Sequence, residues 1–159
     1  MAPAQARWPA ILAAWRPILL LGLLGVGAFN ALLYSGLQYT TATNGLLLQA
    51  AIPAEVVVLD RLFFGVRSPL LQNLGVACSI LGVAAIVFRG DPSQALGFHF
   101  GFGDVLVLVA VLVWSLYTVF LRLRPAISGT SFVAVTFIIG ALAMTPFFIH
   151  DLLTRSEER

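Results

Sequence analysis

Four long stretches of this chain carry no charged side chain: residues 17–54, 68–88, 105–121 and 125–150. A helix needs roughly 20 apolar residues to cross about 30 Å of hydrocarbon. The last three stretches are each close to that length. The first is 38 residues long, nearly two crossings, and is interrupted by the polar run Tyr39-Thr40-Thr41-Ala42-Thr43-Asn44. Thr43 or Asn44 is the expected cap of a new helix there. The sequence therefore predicts five helices, over 17–38, 43–63, 69–88, 104–122 and 130–150. Barrel strands would alternate polar and apolar residues, and runs such as Val105-Leu106-Val107-Leu108-Val109 do not. A lipid-facing backbone must also satisfy its own hydrogen bonds, which favours helices. The expected fold class is an all-α, polytopic membrane helix bundle.

Composition supports this reading. Of 159 residues, 60% are hydrophobic and 10% charged, against about 25% charged in soluble domains. So few charges cannot cover a water-facing surface, which argues against a soluble enzyme. High hydrophobicity excludes a disordered chain, and a single cysteine excludes a disulfide-stapled scaffold. Lysine is absent and the nine basic residues are arginines. They are scattered singly or in pairs, with no basic stripe, so no nucleic-acid partner is expected. The expected partner is the lipid bilayer.

The arginines instead give orientation. Arg7, Arg16, Arg61, Arg67, Arg122 and Arg124 fall on one side of the predicted helices, and Arg89, Arg155 and Arg159 on the other. The side richer in arginine is cytoplasmic. This places the N-terminus inside and, after five crossings, the C-terminus outside, in the plasma (cytoplasmic) membrane. Arg16 interrupts the apolar run a signal peptide would need, so none is expected. Trp8 and Trp15 read as interface anchors.

Several polar groups fall inside the predicted spans. Glu55 lies within 43–63, where an acid costs about 3 kcal/mol at the helix centre. It is either a proton or cation site, or an acid that faces a partner helix without chemistry. Pro53 removes one backbone donor and is expected to kink the helix, as in helices that line transporter sites. Asn44 and Gln49 are able to bond across to another helix or to a solute. Trp114 and Tyr117, three residues apart, face one direction and line either a cavity or the bundle core. Gly75, Ser79 and Gly82 form one small-residue face, expected to serve helix packing, and Gly22, Gly25 and Gly27 read the same way. His99 has no second ligand nearby, so no metal is expected. No catalytic triad, phosphate loop or cofactor motif appears, so neither enzyme activity nor a cofactor is expected.

Some strings have a familiar order. Leu37-Gln38-Tyr39-Thr40-Thr41-Ala42-Thr43-Asn44, with an apolar helix and Pro53 after it, resembles a helix junction of the EamA-type drug/metabolite transporters. Gly65-Val66-Arg67, Gln72-Asn73-Leu74-Gly75-Val76 and Leu81-Gly82-Val83 resemble the family's next helix. Gly103-Asp104-Val105-Leu106 through Trp114-Ser115-Leu116-Tyr117 and Arg122 resembles the opening helix of its second repeat. The resemblance covers about residues 17–150. It implies a secondary transporter of small metabolites or drugs, with about ten helices in two inverted repeats. Residues 1–16 are then a cytoplasmic tail, and 17–102 hold the last three helices and following loop of a first repeat. Residues 103–150 hold the first two helices of a second, and 151–159 a polar tail.

The chain is about half the usual length of such proteins, so a truncated or partial form is expected. Its substrate is a small molecule of unknown identity, and its partner is a second copy or a complementary fragment. Asn44, Gln49, Glu55, Trp114 and Tyr117 are the substrate-cavity candidates. Two other readings compete. One is a non-transporting membrane protein or inactive relic. The other is a small proton-coupled multidrug exporter working as a homodimer around Glu55, which the arginine asymmetry disfavours.

Overall fold

The structure is a computed structural model and describes residues 11–87 and 101–157. Arg7, Trp8, Arg89, His99 and Arg159 lie outside the described residues. Among the described residues every regular element is helical. In chain order these are α1 (Trp15–Leu37), α2 (Ala42–Gln49), α3 (Ile52–Phe64), α4 (Leu70–Val87), α5 (Phe102–Phe120) and α6 (Gly129–Glu157). A short 3-10 turn, Leu121–Leu123, follows α5.

Among the described residues three helical segments are long and apolar enough to cross a membrane: Trp15–Leu37, Phe102–Leu123 and Gly129–Pro146. The apolar part of α4, Leu70–Ala85, is shorter. The second expected span is not one helix. It is two half-helices, α2 and α3, that meet at Ala50 and Ala51. Pro53 stands in the first turn of α3, where its missing N–H is tolerated. It thereby starts a new helix and does not merely bend an old one. The N-cap of α2 is Thr41, whose Oγ1 accepts from the Asn44 backbone N–H at 3.2 Å, and not Thr43 or Asn44. α3 ends at Gly65, which takes the left-handed conformation (φ 65°) that glycine adopts without strain. The expected polar tail 151–159 is helical as far as Glu157, because α6 runs on past residue 150 with Pro146 inside it.

The described chain divides into two compact units. The first comprises residues up to 31 together with those from 120 onward. In it, α1 packs on α6 through small residues. A methyl group on Gly22 would lie 3.0 Å from Ile139 Cγ2, one on Gly140 would collide with Val26, and one on Gly27 would touch Ala143. The first turns of contact use a π-helical stretch, Leu23–Ala28. Asn30 Nδ2 donates to the Val26 carbonyl at 2.8 Å and satisfies a backbone acceptor within it. Ile18, Leu21 and Phe132 are buried here, as is Thr136, whose hydroxyl donates back to Phe132 O at 2.9 Å.

The second unit spans residues 32–119. The end of α1 crosses the start of α5 with almost no side chain between them. A methyl group on Gly103 would lie 2.7 Å from both Gly36 O and Thr40 N. Tyr39 and Phe102 flank the crossing edge to face, with centroids 5.6 Å apart. α2 and α3 both pack on α4. The buried face of α5 is Gly103, Asp104, Val107, Ala110, Val111, Ser115 and Val119, a helical stripe.

Large apolar side chains face outward in both units. Leu70, Leu71 and Leu81 are 75%, 81% and 69% exposed, and Phe137 and Leu142 are similarly open. A water-soluble surface rarely shows so much contiguous hydrocarbon. In a bilayer these side chains meet acyl chains. The fold is a helical bundle of the integral-membrane type.

Candidate functional site

The expected packing face of α4 has no partner among the described residues. Gly75, Ser79 and Gly82 are exposed, and a methyl group on Gly75 or Gly82 would meet nothing within 4 Å. Close approach falls on Gly22, Gly36, Gly103 and Gly140 instead. Spacing identifies a face narrow enough for packing, but not which face a neighbour occupies.

The most connected polar group of the second unit is Asp104, 1% exposed at the start of α5. Its Oδ2 accepts from the Gly101 backbone N–H at 2.8 Å, while its own N–H donates to Gly101 O at 3.1 Å. The Asp104 side chain thus makes one half of a capping box, the Gly101 carbonyl standing where an N-cap side chain would accept, and it places negative charge at the positive end of the helix. Oδ1 accepts from Thr40 Oγ1 at 2.5 Å and from Asn44 Nδ2 at 3.4 Å. One carboxylate thus holds the turn after α1, the first turn of α2 and the entry to α5. Sequence reasoning singled out Asn44 but not Asp104 or Thr40. The available signal was an acid three residues after a glycine, at the head of a long apolar helix.

The other predicted residues are placed as follows. Gln49 ends α2, and its Nε2 donates back to Gly45 O at 3.3 Å, so the amide is tied to its own helix. Pro53 has no N–H, so the Gln49 carbonyl loses its usual donor at the break. Glu55 is in the first turn of α3, half-buried, with Oε2 covered and without a hydrogen-bond partner. The break explains how an acid stands in this segment: it is near the N-terminus of a new helix, where the dipole favours negative charge. Trp114 and Tyr117 touch, with ring centroids 5.3 Å apart and planes tilted by 41°. Both are half-buried, and Thr118 bonds back to the Trp114 carbonyl at 2.9 Å. Ser115, between them in sequence, is fully buried with no partner for its hydroxyl. It lies eleven residues after Asp104, three turns along the same stripe.

The structure therefore joins Asn44 to Asp104 and Trp114 to Tyr117, and leaves Gln49 and Glu55 on either side of the helix break. A separate cavity of about 260 Å³ lies in the first unit, lined by Leu23, Gly27, Ala28, Ala31, Ala143 and Met144. None of the predicted residues lines it, and its walls are apolar. Among the described residues no group of three His, Cys, Asp or Glu side chains is arranged to hold a metal ion.

A bundle of apolar helices, with one segment broken at a proline and flanked by polar side chains, fits an integral membrane protein of the transporter type. Residues 2–88 match the model of the EamA-like transporter family. The chain belongs to that family. It is similar to the uncharacterized transporter YyaM of Bacillus subtilis (strain 168), with 30% identity over 130 residues. That match takes in 79% of this chain and 42% of YyaM. The uncharacterized transporter YetK of the same organism is 31% identical over 130 residues, 80% of this chain and 39% of YetK. An uncharacterized transporter of Archaeoglobus fulgidus is 33% identical over 138 residues, 84% of this chain and 45% of its own length. The chain thus spans less than half the length of these relatives. No solved structure matches it.

Proposed function

We propose that this chain carries out secondary transport of a small metabolite or drug-like solute, as part of a two-repeat assembly. The observation that carries this reading is the break between α2 and α3 at Ala50–Ala51. Irregular backbone at membrane depth is tolerated where it lines a cavity, because unpaired carbonyls need a polar partner. Discontinuous helices of this kind supply substrate and ion sites in transporters.

In this reading residues 17–102 contribute three helices to one repeat, and 103–150 contribute two to the next. The remaining helices come from a second copy or a complementary fragment. One repeat rocks against the other around a midplane site. Gln49 and Glu55 flank the break and meet the solute's polar part. Trp114 and Tyr117 offer it an aromatic wall, and Asn44 helps to hold the site's frame through Asp104. The N-terminus is cytoplasmic, the C-terminus lies on the opposite side, and the membrane is the plasma membrane.

The test is transport by the purified chain in liposomes, across a panel of amino acids and cationic dyes. The expected result is uptake of at least one solute above protein-free vesicles, lost in Pro53→Ala. Folded, monodisperse protein that moves none of them would overturn transport by this chain assembled with its own copies.

A further inference from the structure

The turn between α3 and α4 sets positive charge on an apolar surface. Gly65, in the left-handed conformation, closes α3. Its N–H donates to Arg61 O at 3.0 Å, and the Val66 N–H donates to Asp60 O at 3.3 Å. This paired closure folds the chain back onto the last turn of its own helix. Val66 is thereby held beside Asp60. Arg67 follows it directly and emerges next to Arg61, with its long side chain in reach of the same anion.

Both arginines are exposed. Asp60, the acid beside them, is half-buried and already has a partner. No acid occurs from Arg61 to Arg89. The turn therefore presents two guanidinium groups outward with no exposed carboxylate of its own to neutralise them.

The flanks of the turn are hydrocarbon. Leu62 and Phe63 at the end of α3 are exposed, as are Leu70 and Leu71 at the start of α4. In an integral membrane chain such side chains lie against acyl chains, while arginine heads reach the polar layer. A ligand that satisfies both parts carries a phosphate and hydrocarbon chains. Guanidinium groups match phosphate oxygens with paired donors. A free anion in water would leave the apolar flanks unused.

We propose that the α3–α4 turn is a binding site for an anionic phospholipid. The phosphate lies between Arg61 and Arg67, and the acyl chains run along Leu62, Phe63, Leu70 and Leu71. Basic pockets beside membrane helices hold anionic headgroups by the same forces. The site is at the opposite end of α3 from the helix break and does not depend on the transport reading.

The test is lipid retention by the purified full chain. The chain is reconstituted with equal parts of phosphatidylglycerol and phosphatidylcholine of matched acyl chains, extracted in mild detergent, and weighed by native mass spectrometry. The expected result is a bound phospholipid enriched in phosphatidylglycerol. One arginine at an anionic surface is worth about 1 kcal/mol, or about fivefold in binding. Arg61→Gln and Arg67→Gln are each expected to lower the enrichment by about fivefold, and the double variant by about 25-fold. Arg124→Gln, which removes an exposed arginine from a different turn, is expected to leave it unchanged. Equal enrichment in the parent chain and in the folded double variant would overturn the proposal. Should the double variant not fold, unchanged enrichment in both single variants would do the same. A loss in Arg124→Gln as large as in Arg61→Gln would also overturn it, because any surface cation would then serve. Displacement of the lipid by inorganic phosphate would overturn it in favour of a free anion.

Discussion

The carboxylate of Asp104 accepts a hydrogen bond from the hydroxyl of Thr40, 64 residues earlier in the chain. The same oxygen accepts from Asn44, and the other from the backbone of Gly101. A buried charge with all its partners is stable, and one stripped of them is not. Asp104→Ala removes the acceptor for three donors at once. It is expected to destabilise the protein by about 3 kcal/mol, from hydrogen bonds to charge worth about 1.5–3 kcal/mol each in non-additive combination. Thr40→Val is expected to lose less, about 1–2 kcal/mol, because Asn44 and Gly101 still bond the carboxylate. Thermal unfolding in detergent measures both. Equal stability of Asp104→Ala and the parent chain would show that the latch is not formed.

The glycines divide into two groups with opposite expectations. At Gly103 a methyl group meets backbone atoms, Gly36 O, Thr40 N and the Tyr39 carbonyl carbon, each at 2.7 Å. Backbone cannot rotate aside, so Gly103→Ala is expected to cost about 3 kcal/mol or to prevent folding, at the upper end of overpacking. At Gly75 and Gly82 a methyl group meets open space. Alanine there is expected to change stability by less than about 1 kcal/mol. Folded yield after size-exclusion chromatography separates the two groups.

Gly140 belongs with Gly103, because a methyl group there collides with Val26 Cβ, which is fixed to the backbone, as well as with Cγ1. Gly140→Ala alone is expected to cost about 3 kcal/mol or to prevent folding. Adding Val26→Gly, which removes the Cβ that Val26→Ala would keep, is expected to recover part of that loss, and a double-mutant cycle on thermal stability reads the coupling. Strictly additive effects would mean that the two residues do not touch.

In the orientation proposed from the arginine distribution, the turn before α4 is cytoplasmic and the turn before α2 external. In a Cys78→Ser background, a cysteine at Ser68 is expected to react with an impermeant maleimide only from the cytoplasmic side. One at Thr41 is expected to react only from outside. The reverse pattern would invert the topology.

The helices themselves were legible because charge-free length is a strong physical signal: lipid excludes charge over a fixed thickness. The cap of α2 was not. Thr41, Thr43 and Asn44 are all competent caps, and the choice falls to Thr41 while Thr40 and Asn44 reach Asp104, a long-range contact that no local pattern encodes. Pro53 announced a disturbance, but a proline allows either a kink in a continuous helix or a fresh start. Which one forms depends on whether the preceding turn stays helical, and here Ala51 N–H donates to Leu48 O at 3.1 Å in a tightened turn. The spacing of Gly75, Ser79 and Gly82 was as regular as that of Gly22 and Gly27. Among the described residues only the second set has a neighbour, because packing needs two surfaces and a sequence pattern shows one.

The central claim is that the α2–α3 break lines a watered site within the membrane, and cysteine accessibility across residues 45–60 tests it most directly. Each position is replaced in turn in the Cys78→Ser chain, reconstituted in liposomes, and exposed to a small water-soluble thiol reagent. The expected result is reaction at Gln49, Ala50, Ala51 and Glu55, with Leu46 and Val58, exposed on α2 and α3, left unreacted because they face lipid. Uniform protection from Gly45 to Asp60 would contradict the claim, since it would mean that the break is sealed in hydrocarbon and serves structure alone.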